Sequence, residues 1–421
     1  MKEIIKCKCG IVGIWNRNTN TIDIRNILEQ LQHRGRESVG ITYLDKDRKS
    51  LKSIKGVGMV KDVFKNKLDI TSSGIIGHVR YSTSGNSKLS YDDSLKETQP
   101  FVSSSFALAH NGNIPDTFIK KYCNSIGEIE NNNNDSQVLV NFINKHLAND
   151  NWLYVLQSLV SHFKYAYCLT ILTHNKLFVL RDIFGYRPLS LGVDENNNYI
   201  VASENVAFIN YTKIRDILPG ECVQIDNNGV SQLFHEIHNN NIQKCIFEYV
   251  YFMKPESTAD GNNVYQNRFE MGKILAKEEK LLSSNGDYIV IGSPNTGIPG
   301  GKGYASQMGF KYVQALRKKK DCGRTFILPS QEARLKFLTK FILDIDDIKG
   351  KKVILVDDSI VRGNTIKALS RFFKEDGMVK EFHMRVVSPP VKNPCFYGID
   401  IPTKEELIAN KHSVDEITEI S

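Results

Sequence analysis

The chain lacks the features that would place it in several large classes. It has 421 residues, and no stretch approaches the roughly 18 consecutive apolar residues of a membrane-spanning helix. The first eight residues, Met-Lys-Glu-Ile-Ile-Lys-Cys-Lys, carry no long apolar core, which argues against a secretory signal. Eight cysteines in a chain of this size, without such a signal, argue for reduced thiols rather than a disulfide framework. There is no internal repeat. No glycine-spaced loop ends in Gly-Lys-Ser/Thr, so a P-loop is excluded. The formal charge is +8, but the basic residues are dispersed apart from Arg317–Lys320. Nucleic acid and membrane are therefore not expected as partners; anionic small molecules suit local basic clusters better. Hydrophobic and charged fractions of 41% and 24% are ordinary for a globular protein with a sizeable core.

Two halves differ in pattern. Residues 9–230 carry short β-like runs at Cys9–Trp15, Ser73–His78, Ser105–His110, Ala166–Thr173, Lys176–Arg181 and Tyr199–Ser203. Two helical patterns sit among them, Ile24–Gln32 and Asp135–His146, with apolar residues near i, i+3, i+4 and i+7. Many strands with few helices predict layered sheets. The polar tract Glu130–Asn134 reads as a loop, and Asn239–Asn241 marks a boundary near residues 232–244. Beyond it, helix-like Phe269–Leu282 precedes strand-like Tyr288–Ile291. Strand-like Lys352–Val356 then leads to helix-like Asn364–Asp376 and strand-like Val379–Val387. This alternation predicts a parallel α/β sheet. The resulting division is residues 1–8, 9–240 and 241–421.

Cys9 opens the run Cys9–Ile14, Cys-Gly-Ile-Val-Gly-Ile. Removal of residues 1–8 would give Cys9 a free α-amino group beside its thiol, a nucleophile and a base in one residue. Such an amine has an ordinary pKa of about 7.7–8, so part of it is unprotonated near neutral pH. Taken by itself, Cys9 is better explained as a small buried residue capping the first strand, and it is the rest of the chain that reverses that reading.

The second half contains Val353–Thr365, in which four apolar residues end in Asp357-Asp358-Ser359 and lead through Arg362-Gly363-Asn364-Thr365 into a helix. Backbone N–H groups at a helix start bind anions, and Gly363 allows close approach of a phosphate. Carboxylates at a strand end can reach sugar hydroxyls or a Mg²⁺ ion. A second loop, Ser293–Pro299, follows Tyr288–Ile291. A third segment, Lys318–Thr325, places basic residues where a loop could close over phosphates, although a solvated face explains Lys318–Lys320 as well.

Val353–Thr365 resembles the phosphoribosyl-pyrophosphate loop of type I phosphoribosyltransferases, and Ser293–Pro299 resembles their pyrophosphate loop. Leu31–Glu37, Gly77–Thr83, Ala109–Asn113 and Asp135–Gln137 resemble the class II glutamine amidotransferases with an N-terminal cysteine nucleophile. Cys245–Phe252 and Ser388–Asp400 extend the likeness to the family that joins the two, the glutamine phosphoribosylpyrophosphate amidotransferases. The resemblance runs from Cys9 nearly to the C-terminus. It implies an αββα glutaminase sandwich, α+β in class, followed by a parallel-sheet α/β phosphoribosyltransferase domain.

Further roles follow only from this resemblance. Cys9 is the nucleophile, with Asn111 and the Gly112 N–H as the oxyanion hole. Glutamine is bound by Arg34, Gly35, Arg80 and Asp135, with Arg80 on the α-carboxylate and Asp135 on the α-ammonium. Phosphoribosyl pyrophosphate is held by Lys318, Arg324, Asp357, Asp358, Ser359, Arg362, Gly363, Asn364 and Thr365. Mg²⁺ falls to Thr296, Asp357 and Asp358. The implied partners are glutamine, phosphoribosyl pyrophosphate, AMP or GMP as inhibitors, and further copies of the chain in a homodimer or homotetramer. A cytoplasmic location and a shielded route for ammonia are expected.

The chain departs from the family at Gly292, Ser293, Asn295, which stands in place of an acidic residue, Gly300-Gly301-Lys302, where Lys302 is a candidate phosphate contact, and Ser38-Val39. Cys245 and Cys395 match two of the four cysteines that hold a [4Fe–4S] cluster in some members, and the other pair has no counterpart, so a cluster is not expected here. A sugar-phosphate aminotransferase shares only the first half, because its chemistry has no use for a pyrophosphate loop. A catalytically weakened paralogue, acting as a regulatory or binding subunit, is the alternative from another class.

Overall fold

The structure is a computed structural model. It describes residues 9–45, 50–65, 70–81, 90–125, 134–237, 242–280, 282, 287–319, 341–399, 401 and 403–420. Residues 1–8, most of the Glu130–Asn134 tract and the basic segment from Lys320 to Thr325 lie outside that set. Two compact units are resolved. One comprises Met1–Cys245, Ser257–Gly261 and Cys395–Asp400; the other comprises Ile246–Glu256, Asn262–Pro394 and Ile401–Ser421.

The first unit is a four-layer sandwich. Its seven-stranded sheet runs in the order Thr212–Asp216, Ser190–Val193, Tyr199–Ala202, Gly10–Asn20, Thr71–Arg80, Ser38–Leu44, Leu51–Val57. A six-stranded sheet runs Gly229–His235, Glu221–Asp226, Leu177–Arg181, Ala166–Thr173, Phe106–Asn113, Phe101–Val102. Side chains alternate faces along a strand, and the core follows that rule. Ile11 and Trp15 meet Ala107, Ala109, Cys168 and Leu172 between the sheets. Val12 and Ile14 face outward onto Ile24, Ile27, Leu28 and Leu31 of the helix Thr21–Gln30. Phe106 and Leu108 face the other way, onto the helices Asp135–His146 and Trp152–His162. The structure adds helices absent from the sequence reading, notably Asp116–Ser125 and Trp152–His162.

The second unit contains a four-stranded sheet in the order Lys311–Tyr312, Tyr288–Gly292, Lys352–Asp357, Glu381–Val386, with parallel pairing throughout. Both faces are covered. Ile289, Ile291, Val353 and Leu355 pack with Leu369 and Phe373, while Val290, Ile354 and Val356 pack with Ala276, Tyr304 and Ala305. Buried on both faces, these strands read as continuous apolar runs. The helix expected at Phe269–Leu282 lies at Val264–Lys277, started by Asn263, whose side chain accepts the Gln266 N–H. The helix after the carboxylate loop is α-helical over Asn364–Arg371 and widens to a π turn over Phe372–Asp376.

Candidate active site

In the first unit the candidate residues gather where several strands end. Cys9 is buried and directly precedes the strand Gly10–Asn20. That strand pairs Gly10 with Val79, so Arg80 follows beside it, and Ser38 lies opposite Arg80 on the next strand. Gly35 is required there, because a Cβ would lie 2.5 Å from the Val79 carbonyl carbon and 2.6 Å from Arg80 backbone atoms. The Arg80 guanidinium is almost buried and faces two carboxylates, Glu97 at 3.4 Å and Glu37 at 3.8 Å. These ion pairs are long, and both carboxylates are at least partly exposed, so an incoming carboxylate can replace them.

Asn111 and Gly112 lie on the strand Phe106–Asn113 of the other sheet. Asn111 is buried and its Nδ2 donates to Ser203 Oγ at 3.2 Å. Gly112 allows no side chain: a Cβ would sit 2.0 Å from the Ala166 carbonyl oxygen and 2.6 Å from His110 Nε2. Asp135 opens its helix, where Oδ2 accepts the Ile114 N–H at 3.1 Å and Oδ1 accepts the Ser136 N–H at 2.7 Å. The His110 ring contacts Ser136 Oγ through Nδ1 at 3.0 Å, and its backbone N–H donates to Gln99 Oε1. Burial lowers the His110 imidazole below its ordinary value, against the opposing pull of Asp135 and Cys9, which keeps the ring neutral.

Arg34, which the resemblance assigns to glutamine binding, has its side chain engaged within the fold. Its side chain is fully buried, donates through Nε to the Cys9 carbonyl at 2.9 Å, and pairs through Nη1 with Glu204. A guanidinium committed in this way holds the Cys9 backbone. Glu204 also takes His33 Nε2 at 2.7 Å and the Ser257 hydroxyl at 2.6 Å. Burial would raise the Glu204 carboxyl, but the His33 and Arg34 charges overcome it and hold the group well below the usual carboxylate range.

In the second unit two loops leave the carboxyl ends of adjacent parallel strands, the place where open α/β sheets bind ligands. Gly292 pairs with Val356 across those strands, so Ser293–Gly297 and Asp357–Gly363 start side by side. Thr296 Oγ1 donates to Asp358 Oδ2, and the Ser359 hydroxyl donates to Asp358 Oδ1. Ser293 hydrogen-bonds the Asp357 carboxylate. Burial first, then the neighbouring Asp358 charge, push the Asp357 carboxyl up to about 7. The helices that follow, Ile298–Met308 and Asn364–Arg371, start at Gly297 and Gly363 without a side-chain cap. Apart from Pro299, which has no N–H, first-turn amides at such starts suit an anion. Gly363 has φ +80°, a left-handed conformation that other residues adopt at a cost. Asn364 and Thr365 are exposed.

Some expected contacts take other partners. Arg362 Nε donates to Glu406 at 2.9 Å. Lys302 places its ammonium 5.8 Å from the centroid of the Tyr312 ring. The glycines around it serve packing: a Cβ on Gly303 would meet the Phe269 carbonyl oxygen at 1.9 Å, and one on Gly272 would meet that of Gly300 at 1.9 Å. Asn295 is exposed at the loop tip, and Gly292 is required because a Cβ would lie 2.5 Å from the Ile298 Cα. Lys318 ends the short strand Leu316–Lys318, and Arg324 lies outside the described residues.

Asp357, Asp358 and the Thr296 hydroxyl form a hard oxygen donor set. Two adjacent carboxylates, of which Asp358 helps raise the Asp357 carboxyl, suit a divalent cation, which binds through one or two carboxylates plus substrate phosphates. Cys245 and Cys395 do not fit an iron–sulfur cluster, because two thiols are half the ligands it takes. Both belong to the first unit. There the Cys245 N–H donates to the Tyr186 carbonyl at 3.4 Å and the Tyr397 N–H donates to Cys395 Sγ at 3.3 Å. Among the described residues, no group of three or more His, Cys, Asp or Glu side chains is placed to hold a metal ion. No helix among them is long and apolar enough to cross a membrane.

An αββα sandwich presenting a buried cysteine beside an Asn-Gly strand, on one chain with a parallel sheet ending in a carboxylate loop, defines a glutamine amidotransferase coupled to an α/β transferase. A family model for the glutamine amidotransferase domain matches residues 86–210. The chain is 38% identical over 424 residues to a chloroplastic amidophosphoribosyltransferase of Glycine max, covering 97% of this chain and 71% of that protein. It is 36% identical over 430 residues to the amidophosphoribosyltransferase of Methanothermobacter thermautotrophicus, covering 99% and 88%. Among solved structures, glutamine phosphoribosylpyrophosphate amidotransferase from B. subtilis, complexed with ADP and GMP, superposes with a TM-score of 0.83 at 36% identity, covering 98% and 88%. A structure described as the allosteric regulatory enzyme of purine biosynthesis superposes at 0.85, also at 36% identity, covering 98% and 87%. The chain belongs to the amidophosphoribosyltransferases.

Proposed function

We propose that the chain transfers ammonia from glutamine to phosphoribosyl pyrophosphate, giving 5-phosphoribosylamine, glutamate and pyrophosphate, the first step of purine synthesis. The observation that carries this reading is similarity to amidophosphoribosyltransferases over 97–99% of this chain, which holds both the Cys9 and the Asp357–Thr365 constellations. Nothing in the relatives favours a weakened paralogue.

Once residues 1–8 are removed, the Cys9 α-amine takes the thiol proton as sulfur attacks the glutamine amide carbon. The amide oxygen becomes an oxyanion, received by Asn111 Nδ2 and the Gly112 N–H. Collapse breaks the carbon–nitrogen bond, the proton passes to the departing nitrogen, and ammonia leaves a thioester that water hydrolyses to glutamate. Arg80 takes the α-carboxylate and Asp135 the α-ammonium. At the second site the ribose hydroxyls fall to Asp357 and Asp358, the 5′-phosphate to Ser359 and the N–H groups of Gly363–Thr365, and the pyrophosphate to the Ser293–Gly297 loop. Lys318, Arg324 and Arg362 supply further positive charge. A Mg²⁺ held by Asp357, Asp358 and Thr296 would neutralise charge on the pyrophosphate leaving group. Ammonia forms the new bond at ribose C1 as the bond to pyrophosphate breaks.

The test is pyrophosphate release from phosphoribosyl pyrophosphate, measured with glutamine and then with ammonia. Release with both donors supports the reading; release with neither overturns it. Asn111→Ala should lower glutamine hydrolysis roughly 10²–10³-fold, the usual cost of losing one oxyanion donor. Ammonia-dependent release should persist, because the substitution touches only the first unit. If hydrolysis is unchanged, the Asn111 assignment fails.

A pocket shaped for ribose 5-phosphate also suits a nucleoside monophosphate. GMP or AMP is therefore expected to inhibit, with an apparent inhibition constant that rises as phosphoribosyl pyrophosphate increases. Inhibition insensitive to that substrate would place nucleotides elsewhere. We propose a homo-oligomer and a cytoplasmic location; the six described cysteines, all without disulfides, are compatible with a reducing compartment.

A further inference from the structure

The dipeptide Ser203-Glu204 ends the run Tyr199–Ala202, and the mechanism above gives Ser203 no task. Its position is unusual for a strand-end serine. It is fully buried, and its backbone N–H donates to the Ile11 carbonyl at 3.1 Å. Its Oγ accepts the Ile11 N–H at 3.0 Å and Asn111 Nδ2–H at 3.2 Å. Ile11 lies two residues beyond the nucleophile, and Asn111 belongs to the opposite sheet. One hydroxyl thus ties the start of the nucleophile's strand to the side-chain amide across the sandwich.

We infer that Ser203 is a positioning residue for the oxyanion hole: its Oγ takes one hydrogen of Asn111 Nδ2 and so aims the other at the tetrahedral oxygen formed on Cys9. The inference rests on the reading of Asn111 as an oxyanion donor. An amide with two equivalent hydrogens and a free χ2 would spend part of its time with Oδ1 facing the oxyanion, where it repels. A buried Oγ that accepts from both the Ile11 N–H and Asn111 Nδ2 weights the amide toward the productive orientation, and preorganised donors are what lower such barriers. The neighbouring Glu204 acts on the other partner, anchoring Arg34, which grips the Cys9 carbonyl. Adjacent residues thus fix the oxyanion amide and the nucleophile backbone with respect to each other.

Ser203→Ala should lower kcat for glutamine hydrolysis about 10–100-fold with KM for glutamine within about 2-fold, because the interaction strengthens only in the transition state. Ammonia-dependent synthesis should stay at the wild-type rate, which also reports an intact fold. The decisive probe is the aldehyde analogue of glutamine. Cys9 sulfur adds to its carbonyl, the thiol proton passes to the α-amine, and the resulting hemithioacetal oxygen occupies the oxyanion hole. Ser203→Ala should weaken this aldehyde by the same factor as kcat and leave glutamate binding unchanged. Ser203→Thr, which keeps the hydroxyl, should recover most of the loss. In an Asn111→Ala background, Ser203→Ala should add nothing further.

Parallel loss of aldehyde and glutamate affinity, or a full additional loss in the Asn111→Ala background, would make Ser203 a packing residue and overturn the inference. An unchanged Ser203→Ala enzyme would overturn it too. If Asn111→Ala alone leaves hydrolysis and aldehyde affinity intact, the oxyanion reading itself falls and takes the inference with it. If Asn111→Ala is impaired and Ser203→Ala is not, only the inference falls.

Discussion

Cys9→Ala abolishes glutamine-dependent synthesis and leaves ammonia-dependent synthesis near the wild-type rate. The sulfur is the only group in the scheme that forms a covalent bond to glutamine, so its loss is expected to cost on the order of 10⁶-fold in amide hydrolysis. The ribose chemistry draws on Asp357, Asp358 and the two uncapped helix starts, all in the second unit. The side chain lost is small and the site is buried, so the cavity left is that of one sulfur atom and stability changes little. Pyrophosphate release measured with each nitrogen donor separates the outcomes, and loss of both activities from a folded protein would defeat the two-site assignment. The same chemistry requires a free α-amine. Intact mass of the active enzyme from its host is therefore expected to lack eight residues (9 − 1 = 8), and an active form retaining Met1 would remove the amine from the mechanism.

The parts of these sites that were legible in the sequence are contiguous. Val353–Thr365 announces its own structure: an apolar strand, two carboxylates, a glycine needed at positive φ, and a helix start. Asp135–His146 was likewise readable to the residue, because Asn134 caps it and its apolar stripe is regular. The helix Trp152–His162 carried an equally clear stripe in Trp152, Val155, Leu156, Leu159 and Val160, and went unread among so many strand-like runs. What stayed hidden depends on contacts between distant positions. Ser203 and Ile11 are 192 positions apart, Ser203 and Asn111 are 92 apart, and Arg34 and Glu204 are 170 apart. No local pattern marks such residues. Arg34 shows the consequence: its motif pointed to the glutamine site, but only the fold reveals that its guanidinium is consumed by Glu204 and the Cys9 carbonyl. Gly303 teaches the same lesson, since a glycine near a phosphate loop turns out to admit the backbone of a neighbouring helix.

Asp357→Asn should cripple phosphoribosyl pyrophosphate use with either nitrogen donor and at the same time stabilise the metal-free protein above neutral pH. The functional half follows from charge: a carboxylate that receives ribose hydroxyls or a divalent cation is replaced by a neutral amide. A loss of about 10²-fold or more in kcat/KM is expected, comparable to removing a key electrostatic contact from a transition state. The stability half follows from linkage. Folding raises the Asp357 carboxyl from its ordinary value near 3.9 to about 7, through burial and the adjacent Asp358 charge. The folded state then binds more protons than the unfolded state, so stability falls as pH rises from about 4 to 7, and the full penalty is present above that window. Asparagine carries no charge to bury, so the variant escapes the penalty. Its melting temperature in a chelating buffer should exceed wild type at pH 8 by a few degrees, and the gap should close near pH 4. Adding Mg²⁺ at pH 8 should raise the wild type more than the variant, because a cation binding the ionised pair favours the folded state by mass action. Asp358→Asn should share the loss of turnover, and by removing the neighbouring charge it should let Asp357 ionise at lower pH. A variant with wild-type turnover under both donors would return the Asp357-Asp358 pair to a plain strand-to-helix turn. A pH-independent gap in melting temperature would instead show that packing, and not the buried charge, separates the two proteins.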